Sequence, residues 1–224
     1  SIKADEITKI IQQQIEGFTK EVDILVTKII TYENETSGSS WFHRMVAIGS
    51  DSFPAYAGYE GEATCNVATS YMTGFTIQKL YASTGNLTGP TEIINAINQG
   101  CGFLMTRGKG GTDRIRMNMP EGEEFLAFQN KHVSQLTNKK QYPICVLGEC
   151  IHGKFDVCVR NLFKVIQNIS GYSPADCIYE CIAWKLVREK DAGAIATLTN
   201  TNICYGAIGD ANENGIPDDA ELYG

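Results

Sequence analysis

Residues 144–156 read ICVLGECIHGKFD, a short apolar run followed by Gly-Glu-Cys and a polar turn. The run is typical of a strand buried on both faces, and Gly148 marks its end. Cys150 then stands where a buried strand gives way to an exposed loop, so a ligand can approach it and backbone N–H groups can stabilise an oxyanion. Such a thiol is either a nucleophile or a small apolar core residue, and the residues alone leave both open.

Similar apolar runs recur along the chain and alternate with helical patterns. The predicted strands are MVAIG (45–49), FTIQKLY (75–81), FLMT (103–106), PICVLG (143–148) and GAIATLT (193–199). Helical patterning covers residues 60–73, 91–99, 121–136 and 174–190. Strands that alternate with helices imply right-handed crossovers between parallel neighbours. The sequence therefore predicts an α/β fold with a mostly parallel sheet flanked by helices.

The first 30 residues carry a separate helical signal. Apolar side chains recur at helical spacing, and this predicts one long amphipathic helix or two helices broken near Gly17. The pattern consists of Ile7, Ile11, Ile15, Phe18, Val22, Leu25 and Ile29. Residues 34–40 (NETSGSS) follow as a loop.

Length and composition exclude several classes of protein. A chain of 224 residues, 43% hydrophobic and 20% charged, suits one soluble domain with a substantial core. A net charge of −7 argues against a nucleic-acid binder, and no apolar run reaches the 18 residues that predict a membrane span. Eight cysteines and three glycosylation sequons, at Asn34, Asn86 and Asn168, favour an extracellular or cell-surface location. The chain begins at Ser1 without Met, which suggests a piece of a longer, multidomain precursor.

Several polar residues follow the predicted strands directly. They are Asp51, Arg107 with Gly108, Cys150 and the segment 200–205. Because ligands of parallel α/β sheets bind beyond the carboxyl ends of the strands, these residues indicate one shared site.

Four segments carry a resemblance to a known family. They are WFHRMVAIGSDSFP (41–54) with GYEGE (58–62), GFLMTRGKGG (102–111), ICVLGECIHGKFD (144–156) and WKLVREKDAGAIATLTNTNICYG (184–206). In content and order they resemble the catalytic domain of gingipain-type cysteine peptidases over roughly residues 20–206. The resemblance implies a caspase-like fold and a peptide or protein substrate.

The resemblance also implies roles for single residues. Cys150 matches the nucleophile, and Gly108 with the Cys150 amide would line the oxyanion hole. Asp51 lies where arginine-specific relatives keep a carboxylate for a basic side chain, and Tyr205 matches an aromatic wall of the same pocket. The main departure is Arg107, which stands where the family has the catalytic histidine.

Arginine cannot take a proton from the thiol or give one to the leaving amine, although its charge can favour a thiolate. His152, two residues beyond Cys150, is either a replacement base or a surface or structural histidine. The basic stretch from Arg107 to Arg116 is either a solvated loop or a site for an anionic ligand. Its glycines lack the spacing of a phosphate-binding loop.

The C-terminal segment DANENGIPDDAE (210–221) matches the calcium-loop pattern D-x-[DN]-x-[DN]-G-x₅-E. Oxygen ligands at alternating positions can wrap a hard cation that needs six to eight of them. The predicted Ca²⁺ ligands are Asp210, Asn212, Asn214, the Ile216 carbonyl, Asp218 and Glu221. The alternative is a polar surface turn that only resembles such a set.

These observations predict a caspase-fold domain over residues 1–206, in which 1–19 form an N-terminal helical extension. Residues 207–224 would form a structural calcium loop that leads to further domains. The expected function is that of a secreted cysteine endopeptidase domain impaired by Arg107. The alternative is an inactive relative that serves as a binding or structural module.

Overall fold

A five-stranded parallel sheet forms the centre of the protein. The computed structural model describes residues 4–56, 58–119, 122–170, 173–216 and 218–223. Residue 121 of the helix predicted over 121–136, and residues 217 and 224 of the predicted calcium segment, lie outside this description. The strands in chain order are β1 (Arg44–Gly49), β2 (Thr76–Tyr81), β3 (Phe103–Arg107), β4 (Lys109–Gly111), β5 (Arg114–Asn118), β6 (Glu124–Gln129), β7 (Ile144–Leu147) and β8 (Ala196–Thr199). The parallel sheet has the order β2-β1-β3-β7-β8, and β4, β5 and β6 form a separate antiparallel sheet.

Helices surround the parallel sheet. They are α1 (Ala4–Glu35), α2 (Glu60–Ser70), α3 (Pro90–Asn98), α4 (Asn130–Val133), α5 (Asn161–Ile166), α6 (Ile182–Arg188) and α7 (Asp218–Tyr223), with short 3₁₀ turns at Ser40–His43 and Pro174–Asp176. The α/β class predicted from the sequence is therefore confirmed. No described helix has the length and apolar content needed to cross a bilayer.

Both faces of the parallel sheet are buried, which explains why its strands read as continuous apolar runs. On one face Val46 and Ile48 belong to the main core, together with Ile93 of α3 and Ile182 of α6. On the other face a smaller cluster contains Met45, Ala47 and Met105 and packs against Cys65 of α2.

The long N-terminal helix is continuous through Gly17, so the broken alternative is not found. Lys28 attaches the helix to the domain, because its buried ammonium donates to three backbone carbonyls near the end of α6. The acceptors are the carbonyls of Val187 and Ala192, at 2.8 Å each, and of Glu189, at 3.3 Å.

The prediction of a helix over 121–136 is wrong. Residues 124–129 are strand β6, which pairs with β5, and only the four residues of α4 are helical. The antiparallel pairing of Glu124–Gln129 with β5 decides the outcome, because it satisfies the backbone of this segment through a partner that is not local. The helix predicted over 174–190 is also shorter, because the 3₁₀ turn that begins at Pro174 is separated from α6 by residues 177–181.

The parallel register brings the strand ends to one edge of the sheet. Gly49 pairs with Arg107, Thr106 with Leu147, and Leu147 with Thr199. The polar residues that follow these positions must therefore lie near one another.

Candidate active site

A cleft of about 360 Å³ opens at this edge of the sheet. Four of the residues singled out in the sequence line it, namely Arg107, Gly108, Cys150 and Tyr205. Cys204 and Phe53 also contribute to its walls. The structure thus brings together the thiol and the guanidinium that follow β7 and β3.

The turn that carries Cys150 is held in a strained conformation. Ile151 has φ +52°, a left-handed value that is costly for a β-branched residue, by about 1–3 kcal/mol. The Ile151 amide donates to the Asn202 carbonyl (3.1 Å), and the Gly153 amide donates to that of Asn200 (3.0 Å). Gly110 packs directly beneath, where an added Cβ would lie 2.6 Å from the Cys150 oxygen. These contacts fix the turn and keep Cys150 at the cleft.

The nearest described partner of the Cys150 thiol is another cysteine. Its Sγ lies 3.4 Å from Cys204 Sγ and 3.3 Å from the Cys204 carbonyl oxygen. The Cys204 amide also donates to Cys150 Sγ at 3.4 Å. Both residues are half-buried.

Arg107 is bound to a carboxylate and does not point freely into the cleft. Its Nε and Nη2 donate to the two oxygens of Asp219 at 2.9 and 2.6 Å, and Nη1 donates to the Gly148 carbonyl. Only 5% of Arg107 and 1% of Asp219 are exposed. Burial opposes the charge, but the hydrogen bonds and attraction of Asp219 outweigh it, so the pKa of Arg107 is raised above its ordinary value. Thr64 of α2 also donates to Asp219, at 3.0 Å.

His152 is completely buried beneath the turn. Its Nε2 lies 2.9 Å from the Arg114 carbonyl oxygen and must donate to it, since a carbonyl only accepts. Nδ1 lies 3.3 Å from a Glu149 oxygen, an ion-pair distance at an angle unsuited to a hydrogen bond. Glu149 is equally buried and accepts a hydrogen bond from Thr106 (2.7 Å). This environment is that of a structural histidine.

The other two histidines lie elsewhere. His43 precedes β1 and packs against Phe42 and Phe75 at the opposite end of the sheet. His132 lies in α4, where its Nδ1 accepts from the Gln129 amide (3.1 Å) and burial lowers the pKa of the imidazole. In the part of the chain that the structure describes, no hydrogen bond joins a histidine to Cys150.

Asp51 lies behind the cleft wall and is only 4% exposed. Its Oδ1 accepts from the Phe53 amide at 2.8 Å. The Glu60 carboxyl lies beside it, and burial, together with the Asp51 charge, raises the pKa of Glu60. Tyr205 is instead 81% exposed at the cleft rim. Of the two residues that the resemblance assigns to a substrate pocket, Tyr205 therefore lines the cleft and Asp51 does not.

The basic stretch after β3 is largely paired with carboxylates. Arg114 binds Asp113 through two hydrogen bonds of 2.7 and 2.9 Å, which raise its pKa. Arg116 and Lys109 both contact Glu124, at 2.9 and 3.7 Å. This pairing weakens the alternative of an anion site.

The side chains of the predicted calcium loop converge on one another. The Asp210 oxygens accept from the amides of Asn214 (3.0 Å) and Gly215 (2.7 Å). The side-chain amides of Asn212 and Asn214 both donate to the Glu221 carboxylate, at 2.9 and 2.6 Å. Asp218 accepts from the Ala211 amide, and the amide of Ile216 donates to Asn214. Within the described residues no three His, Cys, Asp or Glu side chains form a group that could hold a metal ion.

Two partners at the site were not identified from the sequence. Cys204 belongs to the segment 200–205, which was expected at the shared site because it follows β8, but its contact with Cys150 was not predicted. Asp219 gave no signal, because it lies within the calcium pattern at a position without a ligand role and reaches Arg107 from 112 residues away.

Comparisons with known proteins give the family and the fold. The family model described as peptidase family C25 matches residues 19–220. A search of curated protein sequences finds no significant match. The crystal structure of the Arg-specific cysteine proteinase gingipain R matches with a TM-score of 0.59 and 24% identity, over 83% of this chain and 38% of that one.

Two further structures match over the same 83% of this chain. One, described only as a protease, has a TM-score of 0.59 and 20% identity over 35% of its length. The complex of Porphyromonas gingivalis RgpB pro- and mature domains has a TM-score of 0.57 and 22% identity over 39%. The chain thus spans well under half the length of these proteins. The caspase-like fold and the gingipain resemblance are confirmed, and the chain belongs to peptidase family C25.

Proposed function

We propose that this chain is a gingipain-type cysteine endopeptidase domain in which Cys150 is the nucleophile and the absence of a proton-shuttling histidine slows hydrolysis. The observation that carries the proposal is the cleft itself. It holds a half-buried thiol at the end of β7 beside Gly108, in a chain of a cysteine peptidase family. The resemblance assigns the amides of Gly108 and Cys150 to the oxyanion of the tetrahedral intermediate.

The proposed reaction is thiolate attack on the scissile carbonyl, formation of an acyl-enzyme and its hydrolysis. The leaving amine needs a proton, which histidine supplies in a Cys–His dyad. Arg107 cannot supply it at any physiological pH, and it is already committed to Asp219. Loss of general acid–base help costs about 10²–10⁴-fold in rate.

A second candidate is a binding or structural module without hydrolytic activity. It is favoured by the burial of Arg107 and by its two hydrogen bonds to Asp219. In this alternative the Arg107 guanidinium stabilises the position of α7 through Asp219 and takes no part in catalysis.

Peptide cleavage separates the two candidates. Arginyl and lysyl peptide substrates are incubated with the unaltered protein, with Cys150→Ala and with Arg107→His. Slow cleavage that disappears in Cys150→Ala supports the peptidase. No cleavage by the unaltered protein, with cleavage by Arg107→His, supports the inactive module. Cleavage that survives Cys150→Ala would overturn the assignment of the nucleophile.

Basic side chains are the proposed substrate preference. Asp51 supplies a buried negative charge next to Ser52 and Phe53 of the cleft wall, and Tyr205 supplies an exposed aromatic face that can stack on a guanidinium. Asp51→Asn should therefore reduce the preference for arginine over alanine at the cleaved position. An unchanged ratio would place the specificity elsewhere.

The loop over 210–221 is proposed to hold Ca²⁺ through Asp210, Asn212, Asn214, the Ile216 carbonyl, Asp218 and Glu221. The contacts among these residues support the proposal, since Asn212 and Asn214 both meet the Glu221 carboxylate, and oxygen ligands of this kind suit a hard cation. Bound Ca²⁺ would neutralise the loop carboxylates and hold α7 in place. A calcium chelator should lower the unfolding temperature of the unaltered protein and leave that of Asp210→Asn unchanged. Equal behaviour of the two proteins would contradict the site.

An extracellular or cell-surface location, within a larger chain, completes the proposal. The side chains of Asn34, Asn86 and Asn168 are exposed, as glycan acceptors must be. Mass spectrometry of the protein purified from its natural source tests this proposal. Glycans on these asparagines and further domains in the same chain would support it, and the absence of both would contradict it.

A further inference from the structure

Two thiols meet inside the cleft, and nothing in a Cys–His peptidase mechanism requires the second. Cys150 Sγ and Cys204 Sγ are 3.4 Å apart, and a disulfide bond needs about 2.05 Å. An approach of about 1.4 Å, within reach of small side-chain rotations, would join them. We propose that Cys150 and Cys204 form a reversible disulfide that blocks the nucleophile. The effect on catalysis rests on the proposed role of Cys150, but the bond itself does not.

The backbone around the pair allows this approach. Neither cysteine lies in a helix or strand of the parallel sheet, so a small shift of either one breaks no ladder. The two segments are nevertheless held side by side by hydrogen bonds from Ile151 to Asn202 and from Gly153 to Asn200. Asn200 also donates to the Glu149 carbonyl at 3.2 Å. These hydrogen bonds therefore keep the two thiols close together and still allow the small shift that bond formation needs.

The other cysteines have different surroundings. Cys65, Cys101, Cys145 and Cys181 are buried, and burial raises the pKa of all four thiols, that of Cys101 to about 12. Buried thiols of this kind react slowly with oxidants. Cys158 and Cys177 are partly exposed but lie outside the cleft, around the 3₁₀ turn at 174–176. Cys150 and Cys204 are thus both accessible to a dissolved oxidant and close to each other.

Electrostatics favour the exchange chemistry at this pair. The Cys204 amide points at Cys150 Sγ, and the Cys204 side chain lies close enough to the Arg107 guanidinium to interact with its charge. The proposed oxidant is a low-molecular-weight disulfide such as oxidised glutathione. The Cys150 thiolate attacks one sulfur of the oxidant and releases one thiol. The Cys204 thiolate then attacks the Cys150 sulfur of the mixed disulfide and releases the second. Two protein thiols lose two electrons and two protons, and the oxidant becomes two thiols.

The test uses the whole chain with Cys158→Ser and Cys177→Ser, so that the cleft pair are its only partly exposed thiols. The folded protein is equilibrated in oxidised glutathione, quenched with acid, alkylated with iodoacetamide, digested and analysed by mass spectrometry. We expect a peptide pair linked through Cys150 and Cys204, loss of alkylation at both, and recovery of both labels after dithiothreitol. Adding Cys204→Ser should leave Cys150 as a mixed disulfide with glutathione.

Several results would overturn the proposal. One is a Cys150 that stays bound to glutathione while Cys204 is present. The others are a disulfide between either cysteine and one of the four buried cysteines, and full alkylation of both thiols in oxidised buffer. Peptide cleavage is measured separately on the same samples. Cleavage that stops on oxidation and returns with dithiothreitol supports the regulatory role. Absence of cleavage in the reduced protein would remove the proposed function and leave the mass measurement to decide the disulfide.

Discussion

Separating Arg107 from Asp219 should destabilise the protein more than any surface substitution. Both side chains are almost fully buried, and two hydrogen bonds of 2.6 and 2.9 Å join them. Removing one member of a buried ion pair leaves an uncompensated charge, which costs about 3–5 kcal/mol. We therefore expect Asp219→Asn to lower the free energy of unfolding by about 3 kcal/mol or more, with a similar loss in Arg107→Met.

The assay is urea unfolding followed by circular dichroism, with thermal melts in parallel. At about 2–4 °C per kcal/mol for a chain of this size, each single substitution should lower the melting temperature by about 6 °C or more. The double variant, which removes both charges of the pair, should lose at least about 2 kcal/mol less than the sum of the two singles.

A matched control is the pair formed by Lys140 and Glu35, whose side chains are 62% and 48% exposed. Lys140→Met should change the stability by no more than about 0.5 kcal/mol. Losses below about 1 kcal/mol for both buried substitutions, or losses that simply add in the double variant, would refute the reasoning.

The remaining predictions concern a buried lysine and a glycine that packs against the Cys150 backbone. Lys28→Met should cost about 2 kcal/mol because three carbonyls near the end of α6 lose their donor, whereas the exposed Lys20→Met should cost little. Burial lowers the pKa of Lys28 to about 8, so the unfolded chain binds more protons between that pH and 10.5; the free energy of unfolding should rise across this window by up to about 3 kcal/mol, and this rise should be absent in Lys28→Met. Gly110→Ala should lower the free energy of unfolding in urea by about 1–3 kcal/mol and slow alkylation of Cys150, because its Cβ would press on the Cys150 backbone. Gly17→Ala has open space around it and should be neutral or stabilising by up to about 1 kcal/mol. A stable Gly110→Ala variant, or a pH dependence that persists without Lys28, would contradict the corresponding argument.

The central sheet could be predicted from the sequence because each of its strands is buried on both faces. Runs such as residues 45–49 and 144–147 have no polar interruption, and the alternation with helices fixes their parallel direction. The antiparallel sheet was missed because Glu124–Gln129 contains Phe, Leu and Ala in an order that suits a helix as well as a strand. Its pairing with β5 decides the conformation, and that contact is not local.

The site was predictable only as far as strand ends determine it. Arg107, Gly108 and Cys150 follow neighbouring parallel strands, so the order of the sheet brings them to one cleft. The partners of these groups come from distant segments, since Cys204 is 54 residues from Cys150 and Asp219 is 112 residues from Arg107. The strand-end argument places the segment 200–205 at the site, but tertiary packing selects the individual pairs, and a single sequence carries no local signal for those.

The partner of Arg107 determines what a histidine at position 107 would do. In Arg107→His the Asp219 carboxylate stays buried beside the new imidazole, held by Thr64 of α2. A neighbouring carboxylate stabilises the imidazolium and raises its pKa, so the residue would be protonated near neutral pH and could act as a base only at higher pH. Neutralising the carboxylate with Asp219→Asn should lower that pKa and move the onset of Cys150 alkylation toward lower pH. A profile that shifts in this way would show that Asp219, which holds α7 in place here, becomes the carboxylate that orients a catalytic dyad. An unshifted profile would mean that the shorter imidazole does not reach Asp219 and that the carboxylate serves only the fold.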